Sequence, residues 1–256
     1  MTPHALENIG YQAMKSLNPD ARELGGATLL KNESAPDSAM LNRVVGLGLE
    51  QPATEREVDQ IVTLMSGVRY FVAVSPFARP DSITSWLKER GFEPGWGWMQ
   101  FSRGVAALPA PRTELSVRRV GAESGADFAR ILSEGFELPG TLEAWLRTVP
   151  GIPGWSVFLA YDGDTAVGSG GLFVSGQLGY LAFGATKKVA RGRGSQSALL
   201  AARISHAKAL GCREVVTETG EQLPDRPSNS YRNIQRAGFR EQFVVANWLM
   251  PRRQAK

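Results

Sequence analysis

The chain has 256 residues, 43% of them apolar and 21% charged, with a net charge of +4. That composition suits a folded globular protein with room for one large domain or two small ones. The mild positive excess suits an anionic ligand but is too small to indicate nucleic-acid binding. The single cysteine, Cys212, excludes an intrachain disulfide and fits a reducing compartment. With His4 and His206 as the two histidines, no His/Cys metal cluster can be assembled, so no metal is expected. The opening MTPHALENIG lacks the layout of a signal peptide, and no apolar run reaches the ~18–20 residues of a membrane span. A cytoplasmic protein, without a membrane or nucleic-acid partner, is expected.

In chain order, the pattern predicts a strand in 40–48, a helix in 52–65 and a strand in 69–77. A helix and closing strands follow in 81–103. Residues 104–116, GVAALPAPRTELS, are small, Pro-containing and non-periodic, and read as a linker. The expected division is a first domain over 1–106, a linker over 107–113 and a second domain over 114–256. In the second part, 115–120 alternates as a strand, and Phe128, Ile131 and Leu132 have helical spacing within 125–136. A short helix is predicted over 141–149. Strands 155–161 and 165–175 are joined by the hairpin signal Asp162-Gly163-Asp164, and a further strand covers 178–186. A helix over 195–210 places His206 in its middle, where a structural role is expected. A strand opens at Cys212, expected as a buried inert thiol; a short helix runs from 229 to Gly238, and 242–250 forms the last strand. The order β-α-α-β-β-β-α-β-α-β is mixed α+β with one central sheet.

The turn between 178–186 and 195–210 carries Arg191-Gly192-Arg193-Gly194-Ser195-Gln196-Ser197. Gly192 and Gly194 can take φ > 0 and have no Cβ to block a ligand. The following helix start leaves about four N–H groups without intrahelical partners. Those donors, the helix dipole, Arg191 and Arg193 together favour an anion, and a pyrophosphate fits best. Neither a Walker loop nor the complete dinucleotide fingerprint is present.

This segment resembles the coenzyme A loop, Q/R-x-x-G-x-G/A, of the GNAT N-acetyltransferase superfamily. Arg191 and Gly194 match it, while Gln196 stands where the family has a small residue. The loop follows the fourth strand, as in the family, and YRNIQRAGFREQF supplies the downstream Gly238-Phe239 after a helix. The resemblance covers roughly 114–250. It implies a GNAT-like mixed central sheet flanked by helices, acetyl-CoA as cofactor, and direct transfer of the acetyl group to a primary amine on a small molecule or peptide. Gly184, Ala185 and Thr186 would pair with the pantetheine like an added strand. A backbone amide of that strand would meet the thioester oxygen, in a space opened by a bulge that Gly184 could allow. Ser195, Gln196 and Ser197, with Asn229, Ser230 and Asn233, would contact the cofactor; Asn229 or Ser230 could equally cap their helix.

A lysine-like amine has a pKa of about 10.4, so a base or water chain is needed. Glu218, at the end of the strand beside the expected opening, is the first candidate, with Glu221, Glu134 and Glu137 behind it. The family's acid tyrosine falls on Ile234; Tyr231, three residues earlier and on nearly the same helical face, could replace it. A non-enzymatic acyl-CoA-binding or regulatory protein is the alternative. A third reading, RNA binding through Arg191, Arg193, Arg232 and Arg236, predicts salt-dependent affinity indifferent to coenzyme A.

The first hundred residues resemble a degenerate half of the same fold, a smaller related α/β domain. Its strand 40–48, helix 52–65, strand 69–77 and Gly91-Phe92 repeat the later order. Its loop carries Glu50, Glu55 and Glu57 in place of glycines and arginine, which would repel a pyrophosphate. One cofactor site is therefore expected. The first domain would pack on the second, cover the acceptor cleft or mediate a homodimer. Trp96 and Trp98 alternate on one strand and are expected in a core or interface.

Overall fold

The computed structural model describes residues 2–223 and 228–251. Two compact units divide the chain: Met1–Gln100, Thr219–Leu223 and Gln242–Lys256 form the first, Phe101–Glu218 and Pro224–Glu241 the second. The elements of 1–104 are α1 (Pro3–Ser16), β1 (Arg22–Leu24), β2 (Ala27–Leu30), β3 (Arg43–Val45), α2 (Glu55–Leu64), β4 (Phe71–Val74), α3 (Ile83–Glu89) and β5 (Glu93–Gly104). Then come β6 (Ser116–Val120), α4 (Gly125–Phe136), α5 (Glu143–Leu146), β7 (Trp155–Asp162), β8 (Thr165–Ser175), β9 (Leu178–Thr186), α6 (Ser195–Ala209), β10 (Glu214–Gly220), α7 (Asn229–Arg236) and β11 (Arg240–Leu249). The architecture is α+β, a mixed sheet flanked by helices.

The first unit orders its strands β1-β2-β3-β4-β11-β5. The expected boundaries differ here. The C-terminal strand pairs antiparallel with β4, Ala246 opposite Val74 through Leu249 opposite Phe71, so 242–249 groups with the first unit. Strands β3 and β4 are parallel and joined through α2, whose Val58 and Ile61 are fully buried against Val44, Val72 and Leu87. Helix α1 and the β1–β2 hairpin have no counterpart among the sequence-predicted elements. The predicted helix over 141–149 shrinks to α5, between 3-10 turns at Gly140–Leu142 and Val149–Gly151; Pro150 lies within the second.

The second unit orders its strands β10-β9-β8-β7-β6. From β6 to β9 neighbours are antiparallel, while β9 and β10 run parallel across the α6 crossover. Ser195, Leu199 and Arg203 stand four residues apart on α6 and face β8 where that strand lacks side chains. A Cβ on Gly168 would lie 2.2 Å from the Ser195 hydroxyl, and one on Gly170 would lie 2.7 Å from the Arg203 guanidinium. The Gly-Ser-Gly-Gly run at 168–171 is thus the seat of the helix. Helix α4 buries Phe128, Ile131 and Leu132, as its spacing predicts.

Candidate active site

The parallel pairing of β9 with β10 runs from Leu178–Glu214 to Leu181–Thr217, yet β9 continues to Thr186 and β10 to Gly220. The Thr217 hydroxyl closes the pairing by donating to the Leu181 carbonyl, 2.8 Å. Beyond it the edge of β9 is released. The cause is a bulge: Gly171 opposes Ala182 and Ser169 opposes Ala185, so two residues of β9, Phe183 and Gly184, face the single Gly170. The expected bulge is present, but its left-handed residue is Phe183, at φ 57, rather than Gly184. Phe183 is held there by Ser169, whose hydroxyl donates to its carbonyl at 3.0 Å, and by the ring of Phe128 at 5.5 Å. The Lys187 amide donates to the Val167 carbonyl, 2.9 Å; by alternation the main-chain groups of Thr186 point to the opposite, open edge.

At the end of β9 the chain turns into α6. Gly192 (φ 78) and Gly194 (φ 83) are both left-handed, and Gly194 is the N-cap. No side chain caps α6, which leaves its first N–H groups to an outside acceptor. A Cβ on Gly192 would meet nothing within 4 Å, so that side of the loop is open. On Gly194 it would lie 2.9 Å from the Arg112 carbonyl, which accounts for glycine there. In the first unit, the start of α2, which joins the parallel strands β3 and β4, is closed. The Thr54 hydroxyl accepts the Glu57 amide at 3.3 Å and the Glu57 carboxylate accepts the Thr54 amide at 2.6 Å. A cavity of about 320 Å³ in the first unit lies between α1, the β1–β2 hairpin and residues 46–50, and its lining includes Lys15, Glu23 and Glu50, a mixed rather than a cationic wall.

The sequence-predicted loop residues divide into two sets. Arg191 is exposed at the mouth, its Nε 3.3 Å from the Thr186 carbonyl. Arg193 turns away and forms a two-pronged ion pair with Asp162, 2.5 and 3.0 Å, which holds the Asp162 carboxyl below its usual range. The Ser195 hydroxyl packs down against Gly168 and bonds Thr186 Oγ1 at 3.2 Å; Ser197 is exposed. Gln196 lies on β9: its Nε2 donates to the Ala185 carbonyl (2.8 Å) and Thr186 Oγ1 (3.0 Å), and its Oε1 sits 3.0 Å from where a Gly184 Cβ would be.

Glu218 is half-buried on β10 beyond the end of the pairing and accepts a hydrogen bond from Tyr180, 2.9 Å. Sequence reasoning missed Tyr180; its signal is the pairing register, which sets it opposite Val216, two residues before Glu218. Glu221 lies in the first unit and accepts the Gly97 amide, 2.7 Å. Glu134 and Glu137 pair with Lys187 at 3.7 Å and Lys188 at 3.0 Å. Tyr231 is buried, edge-on to Phe101 at 4.9 Å. Asn229 and Ser230 are exposed and Asn233 half-buried on α7; the cap of that helix is Ser228, one residue before the expected pair, whose hydroxyl accepts the Tyr231 amide. His206 lies against Phe158 with Ser156 at 3.2 Å, and Cys212 is buried. Among the described residues no group of His, Cys, Asp and Glu could hold a metal, and no helix is long and apolar enough to cross a membrane.

No protein-family model and no curated protein matches the sequence. Solved structures do match. A GCN5-related N-acetyltransferase from Kribbella flavida superposes with a TM-score of 0.66 at 16% identity, over 98% of this chain and 97% of that one. The chain has the GNAT fold. A GCN5-related N-acetyltransferase from Sphaerobacter thermophilus gives 0.61 at 18% identity, over 88% and 78%. A tandem GNAT protein from the clavulanic acid biosynthesis pathway gives 0.59 at 13%, over 93% and 86%.

Proposed function

We propose that the protein is an acetyl-CoA-dependent N-acetyltransferase whose acceptor is a primary amine, attacking directly in a ternary complex. The observation that carries this reading is the uncapped start of α6, with left-handed Gly192 and Gly194, beside the released edge of β9. An extended pantetheine matches that edge, and a diphosphate matches the loop amides and Arg191. Bound acetyl-CoA would supply the activated acyl group as a thioester. Gly184 and Thr186 would hold the pantetheine extended, and a main-chain amide at the Phe183–Gly184 bulge would donate to the thioester carbonyl oxygen. Glu218, oriented by Tyr180, would take the proton of the acceptor ammonium directly or through water. As the C–N bond forms the C–S bond breaks, and coenzyme A would leave as a thiolate, ordinary pKa about 8.5, that takes up the second amine proton through water. Gln196 must swing off the Ala185 carbonyl or share it with the ligand. Arg193 acts as the wall that fixes the loop to Asp162 rather than as a phosphate ligand.

A non-enzymatic acyl-CoA-binding protein is the second reading, favoured by Tyr231, whose buried hydroxyl donates to Glu241 and holds its proton too tightly to be a good donor to a departing thiolate. Calorimetry with acetyl-CoA tests the shared premise. Gly192→Asp places a carboxylate in open space at a left-handed position and is expected to weaken binding about tenfold. Unchanged binding, or no heat with the parent protein, overturns the site. Release of free thiol with one member of an amine panel then selects the enzyme; binding without release for every amine selects the alternative.

A further inference from the structure

Arg203 carries a buried charge that the mechanism so far does not use. It is 2% exposed, and among the described residues no carboxylate pairs with it. Its guanidinium is held by carbonyls: Leu199 of its own helix at 3.0 Å, Gly171 at 3.3 Å and Ala182 at 3.1 Å. Burial pushes it down to about 10. A desolvated cation without a counter-ion is costly, and an apolar side chain of similar length would fill the same space without that cost.

The place of this charge is specific. Gly171 and Ala182 are the last in-register pair on one side of the bulge, and the next residue of β9 is the left-handed Phe183. Arg203 takes the carbonyl before Phe183, and Ser169 takes the carbonyl of Phe183 itself. Gly170 and Gly184 leave the room: the guanidinium is 2.7 Å from an ideal Cβ on the first, and Nη2 is 3.9 Å from one on the second. A helix-to-sheet tie alone could bond any carbonyl of β8 or β9. This one joins the two strands where their register breaks.

We infer that Arg203 is a positioning residue for acyl transfer: by holding the Ala182 carbonyl while Ser169 holds the Phe183 carbonyl, it fixes the left-handed Phe183 from its N-terminal side and so aims the main-chain amides of the bulge at a thioester carbonyl. The inference rests on the acyl-CoA reading above. The test reads the ligand rather than turnover, so it does not need the acceptor. Acetyl-CoA isotopically labelled in its carbonyl carbon is bound to the full chain, and its carbonyl stretch is followed by difference infrared spectroscopy. In the parent protein the band is expected to move to lower frequency on binding. Arg203→Met is expected to keep its affinity for coenzyme A, because the loop at 191–197 is untouched, yet lose most of that shift; Arg203→Lys restores part of it. A full shift in Arg203→Met at unchanged affinity overturns the inference and leaves the acyl-CoA reading standing. No binding by the parent protein overturns that reading instead. Should Arg203→Met fail to fold, Ser169→Ala frees the other bulge carbonyl: a diminished shift supports the inference, and an undiminished one overturns it.

Discussion

Burial, and donation to Glu241, push the Tyr231 phenol up to about 12. A phenol so raised is a poor source of protons near neutrality, which separates Tyr231 from Glu218, whose carboxylate sits beyond the end of the β9–β10 pairing. The two therefore predict opposite behaviour. Tyr231→Phe is expected to lower stability by about 1 kcal/mol near neutral pH, the worth of an ordinary hydrogen bond, and to leave acetyl transfer intact. The sign with pH follows from linkage. A phenol raised in the folded state adds stability below its unfolded value of 10, and that stability is lost as pH climbs toward 12. The gap in melting temperature between parent and Tyr231→Phe should thus narrow above pH 10. Glu218→Gln is expected to keep the melting temperature and acetyl-CoA affinity while losing about a hundredfold in turnover. A slow Tyr231→Phe with a normal Glu218→Gln would reverse both assignments.

The two parallel crossovers of the chain differ in how their helices begin. Helix α2 starts in a reciprocal cap between Thr54 and Glu57, and α6 starts on a bare left-handed glycine. The first arrangement satisfies donors within the chain, and the second leaves them without a side-chain cap. Thr54→Ala is accordingly expected to lower unfolding free energy by about 1 kcal/mol without changing acetyl-CoA binding. A loss of binding in that variant would show that the first unit contributes to the site. Helix α6 and its loop were legible in the sequence because Gly192 and Gly194 alternate with arginines ahead of a regular apolar stripe. Helix α1 was not: Leu6, Ile9 and Ala13 have the spacing, but Glu7 is also buried among them, its carboxylate held by Tyr11 and Ser75. The three and four residues of β1 and β2 are too few for alternation to show. The left-handed Phe183 is likewise invisible locally, since its conformation is set by Ser169 and Phe128, 14 and 55 positions away in the chain.

Local pattern gave the order of elements in the second unit but could not give the partner of the last strand. Every residue of β11 reads equally well as the end of the second domain. Its destination is decided by distant pairing with β4, by Val245 and Trp248 entering the core of the first unit, and by the Asn247 amide donating to Trp96 at 2.8 Å. Within that unit β11 lies between β4 and β5, so a fragment cut at the linker lacks an interior strand. Both flanking strands would then expose unpaired main-chain groups and the apolar side chains of Phe71 and Val72, a state prone to aggregation. Residues 1–106 alone are therefore expected to show weak near-ultraviolet dichroism and no cooperative thermal transition. Adding a synthetic peptide of residues 240–251 should restore both, because it supplies the missing ladder and Trp248 together. If the fragment melts cooperatively by itself and gains nothing from the peptide, β11 is an accessory of the first unit rather than part of its core.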